Sequence, residues 1–337
     1  MPNFIVPATV ATDLQDSARK YRTELLTMPT RALAASLQYM TLRPGIRVSE
    51  TVGELIADAE LGPYDENRST DLDVRIESRS LEVFLGNTVN PFSPNSVYST
   101  IYGANAVHGE ALKLVPITLQ VLQLLALRVG SNLNRVLFSA KRNATGKKSA
   151  DLFNGFDTIA ASEKTAGKLS TAQGNLVEID QVTDDNAVDM AQAICESASE
   201  LLLDQELELI VPRSFMFAYN RAYLKKFGMV PYNQQYQKTF VEGFPNVALC
   251  PLGNKESSPF LQLTTRGNML VGVNESQDEN RERVDVLTSD NPYKLKFLCE
   301  KFFGCQYESI NKERLLIATV DGTTPVVEKR GSTDDAG

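Results

Sequence analysis

Histidine is nearly absent from this chain. The one copy, His108, stands beside Gly109 in a turn-rich stretch. A lone imidazole without partners at a fixed spacing is far more often incidental than catalytic. The patterns H-E-x-x-H, G-x-S-x-G and G-x-G-x-x-G are missing, which removes the usual zinc-protease, hydrolase and dinucleotide readings. Gly146-Lys147-Lys148-Ser149 resembles the end of a phosphate-binding loop, but the earlier glycine is lacking, the serine falls one place late and no strand leads in. It reads as a solvated basic loop. Close cysteine pairs are missing too. Cys195, Cys250, Cys299 and Cys305 are scattered, so they read as buried free thiols in a reducing compartment. Acid pairs such as Asp184-Asp185 fall at a helix start, where they favour the helix dipole. No catalytic, cofactor-binding or metal-binding residue is expected, although a site built from dispersed carboxylates stays open.

A basic surplus is also lacking. Lys plus Arg total 34 against 42 Asp plus Glu, a formal net charge of −8 over 337 residues. A protein whose main task is gripping nucleic acid shows a basic balance or a large basic patch, and neither is evident. The start, MPNFIVPATVATDLQ, has no basic region followed by a long apolar run, so no signal peptide is expected. The N-x-S/T sites at Asn67, Asn143 and Asn274 then carry no meaning for a cytosolic chain.

The dominant stretch is VPITLQVLQLLALRVGSNLNRVLF, Val115 to Phe138. Pro116 suits a first turn, and Ile117, Val121, Leu124, Leu125, Leu133 and Leu137 recur close to helical spacing. The helix is long for a globular protein, and its first half is apolar nearly all round, so both sides should be covered there. Gln120, Gln123 and Arg128 break the apolar run below the length needed to span a bilayer.

Around it, residues 12–28 read as a helix capped by Thr12 or Asp13 and ended by Pro29. A short helix carrying Leu33, Leu37 and Met40 follows, closed by Arg43-Pro44-Gly45. Their narrow apolar stripes suit an arm lying on something else, or helices packed on the same subunit's core. Asp71-Leu72-Asp73-Val74-Arg75-Ile76-Glu77 alternates charged and apolar, and Leu81, Val83 and Leu85 resume the pattern after Ser78-Arg79-Ser80. This predicts a β-hairpin over about 70–86. An isolated hairpin is marginal in water, so it lies half-buried on its own subunit or extends over a neighbour, with Asp71, Asp73, Arg75, Glu77 and Arg79 setting register. Downstream come Gly155-Phe156-Asp157 leading into a short helix, a helix from about 184 with Ala187, Ala191, Ile194, Cys195, Ala198, Leu201 and Leu202 on one face, and a strand ending in Val211-Pro212. A helix with the row Met216, Tyr219, Tyr223 and Phe227 follows, then a polar loop 229–242, and strands at 247–250, 260–264, 268–273, 284–287, 294–303 and 315–320. The tail after Asp321 has no periodicity and reads as loose.

This order of elements resembles the major capsid proteins of tailed bacteriophages, the Hong Kong 97-type fold, over residues 12–320. Gly155-Phe156-Asp157, Val211-Pro212 and Gly243-Phe244-Pro245 are the local matches. The resemblance implies an α+β fold with an N-terminal arm (1–45), an extended loop region (46–103), a peripheral domain built on the long spine helix (104–183 and 280–308), an axial domain (184–279 and 309–322) and a loose tail (323–337). It implies a structural protein, not an enzyme, that forms homo-pentamers and hexamers of an icosahedral head. That head would enclose double-stranded DNA without sequence specificity and be assembled in the host bacterial cytoplasm. Scaffolding, portal and decoration proteins are the further partners implied; a membrane is not. Loop 229–242 would point at the symmetry axis, making Tyr232 and Tyr236 contact candidates beside the hairpin's charged residues.

Two departures from the family pattern matter. Some members join a lysine on the extended loop to an asparagine on a neighbour, and here no lysine occurs between Tyr21 and Leu112. A shell without those covalent links is expected. Only about forty residues precede the hairpin region, so a separate scaffolding protein, or none, is implied. The acidity suits a shell that must not stick to the DNA it packs. The alternatives are an encapsulin-like nanocompartment shell and, in another class, a soluble enzyme or ligand-binding protein.

Overall fold

The computed structural model describes residues 8–58, 63–64, 66, 73–93, 117–228, 234–235, 238–274 and 282–328. The helices are α1 (Ala8–Lys20), α2 (Arg22–Arg31), α3 (Ala34–Leu37), the long α4 (Ile117–Val136), α5 (Phe156–Thr165), α6 (Ala187–Glu196), α7 (Glu200–Leu203) and α8 (Arg213–Phe227). The strands are β1 (Thr41–Arg43), β2 (Ser49–Asp58), β3 (Asp73–Glu82), β4 (Phe84–Phe92), β5 (Leu176–Glu178), β6 (Leu207–Pro212), β7 (Gln234–Gln235) and β8 (Lys238–Val241). They continue with β9 (Phe244–Leu252), β10 (Phe260–Thr264), β11 (Met269–Val273), β12 (Arg283–Thr288), β13 (Leu295–Tyr307) and β14 (Leu315–Thr319).

Two sheets carry the body. One runs β1-β11-β13-β12, with β4 also paired to β13; the other runs β5-β14-β10-β6-β9-β8-β7. The central strands β10, β11 and β14 are buried at every position, which is why their sequences run apolar instead of alternating. One core joins α4, α5 and both sheets through Leu133, Leu137, Phe153, Phe156, Phe260, Phe303 and Tyr307. A second packs α6 and α8 on the larger sheet through Ile194, Cys195, Tyr219, Tyr223 and Leu209. Each such buried side chain removes apolar area worth about 1.5–3 kcal/mol.

The arm helices lie on their own subunit. Leu14, Ala18, Leu25 and Leu26 meet Leu119, Leu122 and Ala126 of α4 and Val284 and Val286 of β12. Pro29 does not end the helical run. The break falls at Tyr21, and Pro29 is buried inside α2. Close packing overrides the proline's local preference: a Cβ placed on Gly130 of α4 would lie 2.2 Å from the Pro29 carbonyl oxygen, so glycine alone lets the two helices touch there. Within the subunit α4 keeps one side open: Leu124 is 68% and Leu127 37% exposed.

The expected hairpin is replaced by a different pairing. β3 runs unbroken through Ser78-Arg79-Ser80, and its antiparallel partner is β2, in register from Ser49↔Glu82 to Asp58↔Asp73. Leu85 belongs to β4, which pairs with β13. Ser-Arg-Ser has neither the glycine nor the asparagine that a tight hairpin turn needs, so the strand passes through it. β11 shares a sheet with β13, and β5 with β14. The chain after Asp321 is held at least to residue 328: Val326 and Val327 are buried, and Val182 bridges Val327.

Candidate assembly interface

The β2–β3 ribbon is the feature that the rest of the fold presents. Its strands pair only with each other among the described residues, and ten residues in each span roughly 30 Å. Its root is seated in a notch. Gly272 of β11 and Gly304 of β13 face each other in register. A Cβ on Gly304 would stand 2.0 Å from the Glu82 carbonyl oxygen, and one on Gly272 would stand 2.8 Å from Val83 Cγ1. The missing side chains let the β3–β4 junction sink onto the sheet, where Leu81 and Val83 are buried with Ile46, Val52 and Leu270.

Arg79 locks this seat. Its Nη2 lies 2.6 Å from Glu163 Oε1 of α5 and donates to Gln306 Oε1 at 3.1 Å, while Nε donates to the Tyr307 carbonyl at 3.1 Å. Gln306 Nε2 returns a bond to the Ser80 carbonyl. The Arg79 side chain is 11% exposed, and these hydrogen bonds hold it within the chain. Three residues further out the environment changes: Ile76 is 72% exposed, with Glu77 and Ser78 also exposed. Asp73 and Arg75 lie toward the far end of β3. Asp71, Tyr232, Tyr236 and His108 lie outside the described residues.

Other apolar side chains stand bare. Leu124 and Leu127 form a stripe on α4. Phe217 (53%), Leu224 (51%) and Phe227 (41%) occupy the outer side of α8, and Leu201 (57%) does not join the face expected of it. The same α8 is rigidly held. Tyr223 donates to Glu242 Oε2 and Tyr219 accepts from the Glu242 amide, both at 3.0 Å. Arg221, Lys225 and Lys226 pair with Asp184, Asp185 and Asp189. The acids at the start of α6 thus register two helices.

One buried polar cluster escaped the sequence reading. Lys255 Nζ lies 3.3 Å from Asp157 Oδ1, 2.8 Å from Ser258 Oγ and 4.4 Å from the Phe138 ring centre. Burial pulls its pKa down to about 8, against the opposing pull of Asp157. Gln262 Nε2 donates to Asp157 Oδ1 and to Tyr307 Oη, both at 3.2 Å, and Tyr307 donates to the Phe156 carbonyl. The cluster ties α5, β10 and β13 together. The Gly155-Phe156-Asp157 pattern marked one end of it, but nothing local in the sequence singled out Lys255. Among the described residues, no group of three or more His, Cys, Asp or Glu could hold a metal ion, and no helix is long and apolar enough to cross a membrane.

No family model and no curated protein matches the sequence. Solved structures are similar in fold. A chain of the satellite phage P4 procapsid including size determination (Sid) protein matches with TM-score 0.52 and 10% identity, over 89% of this chain and 100% of that one. The capsid of the native GTA particle matches with TM-score 0.54 and 11% identity over 85% and 90%. The cyanophage A-1(L) capsid asymmetric unit gives 0.54 and 12% over 87% and 92%. With its arm, ribbon, long helix and two sheets in that order, the chain has the fold of tailed-phage capsid subunits, the Hong Kong 97-type fold.

Proposed function

We propose that this chain is the major shell subunit of a phage head, assembling as pentamers and hexamers around double-stranded DNA in the virion. The observation that carries the reading is the ribbon, anchored at its root yet bare at Ile76. A two-stranded ribbon is marginal in water unless something covers it. The exposed Phe217 and Leu224 of α8 are a surface of the same kind. Copies of the chain can cover one another there, and many weak repeated contacts give a shell its strength without one tight interface. In this reading the sheet with β13 and α4 forms the peripheral part, and the larger sheet with α6 and α8 forms the axial part. Glu77 and the region of Asp71, Asp73 and Arg75 set register on a neighbour, and Tyr232 and Tyr236 approach the symmetry axis. Scaffolding, portal and decoration proteins are the further partners, and assembly takes place in the bacterial cytoplasm.

Negative-stain microscopy and sedimentation of the purified protein test the reading. Closed shells or capsomers support it; a monodisperse monomer or dimer under all assembly conditions overturns it. Large genome-filled particles separate a phage head from a small cargo-filled compartment. Mature particles should run as a single subunit band on a denaturing gel, because the ribbon region has no lysine to weld. A covalent ladder would contradict that.

A further inference from the structure

Between Glu110 and Asp151 the sequence contains no acidic residue. The described part of that stretch carries six cations: Arg128, Arg135, Lys141, Arg142, Lys147 and Lys148. In a chain of net charge −8 this is a sharp local reversal. The fold keeps it together. Arg128 and Arg135 are seven residues apart on the exposed stripe of α4, about 10 Å along the axis. The helix then runs into the loop that holds the lysines. Every one of these cations but the half-buried Arg142 is exposed.

Several of the chain's other cations are held by acids. Arg79, Arg221, Lys225, Lys226, Lys255 and Arg314 each meet a carboxylate. Among the described residues Arg128, Arg135, Lys141, Lys147 and Lys148 make no salt bridge. The nearest acid in sequence, Asp151, turns its Oδ2 to the Lys148 backbone amide at 3.0 Å. Arg142 is occupied elsewhere, donating to the Leu152 carbonyl and stacking 4.0 Å from the Phe84 ring centre. The negative end of α4 accounts for favouring cations near Arg135, but not for a loop that adds more of them and excludes acids.

We propose that this strip, the C-terminal half of α4 and the loop to Lys148, is the shell's contact with the phosphate backbone of packaged duplex. The assignment rests on the capsid reading above and adds to it which side of the subunit faces inward. Cations gathered on one helix end and the loop that follows suit a phosphate backbone, which is contacted without sequence preference. It is compatible with the net acidity. A handful of phosphate contacts gives grip at low salt and release near physiological salt, since about five contacts lose roughly 500-fold in affinity between 50 and 200 mM salt.

The test titrates a fluorescent duplex of mixed sequence with the full-length protein across a salt series. It compares the wild type with R135Q/K141Q/K147Q/K148Q and with a control, K225Q/K226Q, on α8. The expected result is a log–log salt slope about three to four units shallower for the four-site variant only, with at least a tenfold loss of affinity at low salt. The same preparations are imaged for shells. Shells from the four-site variant with lost duplex binding support the assignment. Equal slopes for the wild type and that variant overturn it, and so does a variant that binds duplex normally but no longer assembles, which would place a second copy on the strip. If none of the proteins forms shells, the capsid reading fails on its own, while the salt slopes still report whether the strip binds phosphate.

Discussion

At the scale of single residues, most of the informative chemistry is interior and holds shape. Arg79 is bound on three sides by Glu163, Gln306 and the Tyr307 carbonyl. Arg79→Ala leaves a buried carboxylate short of its partner and should cost about 2–4 kcal/mol in denaturant unfolding; a change under half a kcal/mol would mean that the seat does not depend on it. The thiols give a pH test. Burial pushes Cys195 and Cys299 up to about 12, from an ordinary value of 9.0. In the folded state they stay protonated above pH 9, whereas in the unfolded chain they ionise there. The unfolded state therefore binds fewer protons, and stability falls as pH rises from about 9 toward 12, by up to about 1.4 kcal/mol per pH unit for each thiol. Cys299→Ala should flatten that fall, measured by urea unfolding across the range. All four cysteines are buried and free, so a thiol reagent should reach them only after unfolding.

At the scale of elements, glycines decide where pieces meet. A side chain at 304 would run into the Glu82 carbonyl at 2.0 Å. Gly304→Val should unseat the ribbon root, lowering stability by roughly 1–3 kcal/mol and exposing β2 and β3 to limited proteolysis. Gly130→Leu should do the same to α2, because it faces the Pro29 carbonyl at 2.2 Å. The expected outcome is early cleavage within residues 8–31 while the two sheets stay protected; unchanged cleavage would contradict the account. These close approaches explain what the sequence could and could not convey. The alternation through Asp73–Glu77 marked β3 truly, because period-two patterning is local. Its partner β2, SETVGELIAD, has no clean alternation, and pairing across fifteen or more residues is set by the notch beneath Leu81 and Val83, not by either strand. β1 was missed because three residues beside a Pro-Gly turn look like a helix stop. Pro29 misled because it lies buried inside α2, packed closely on the distant Gly130 of α4. The strands of the two sheets were legible since each is a short apolar run bounded by turn residues, and so was α4. The interface candidates were less so: the charged face of β3 was visible, but that Arg79 turns inward depends on Glu163, eighty-four residues away.

At the scale of the whole molecule, the proposed shell role turns on where apolar side chains are left exposed. Two large buried clusters make up the body, and the exposed apolar side chains among the described residues include Ile76 on the ribbon and Phe217, Leu224 and Phe227 on α8. In the proposed shell each of these surfaces faces a different neighbour. In the proposed reading the basic strip of α4 and the loop after it faces the duplex, within a chain of net charge −8. The most direct measurement is a cryo-electron microscopy reconstruction of the assembled protein. The expected map is a closed icosahedral shell in which the outer half of each β2–β3 ribbon lies across an adjacent subunit and Ile76 is buried. A particle in which that ribbon folds back on its own body, or a protein that stays monomeric with Ile76 in solvent, would contradict the account.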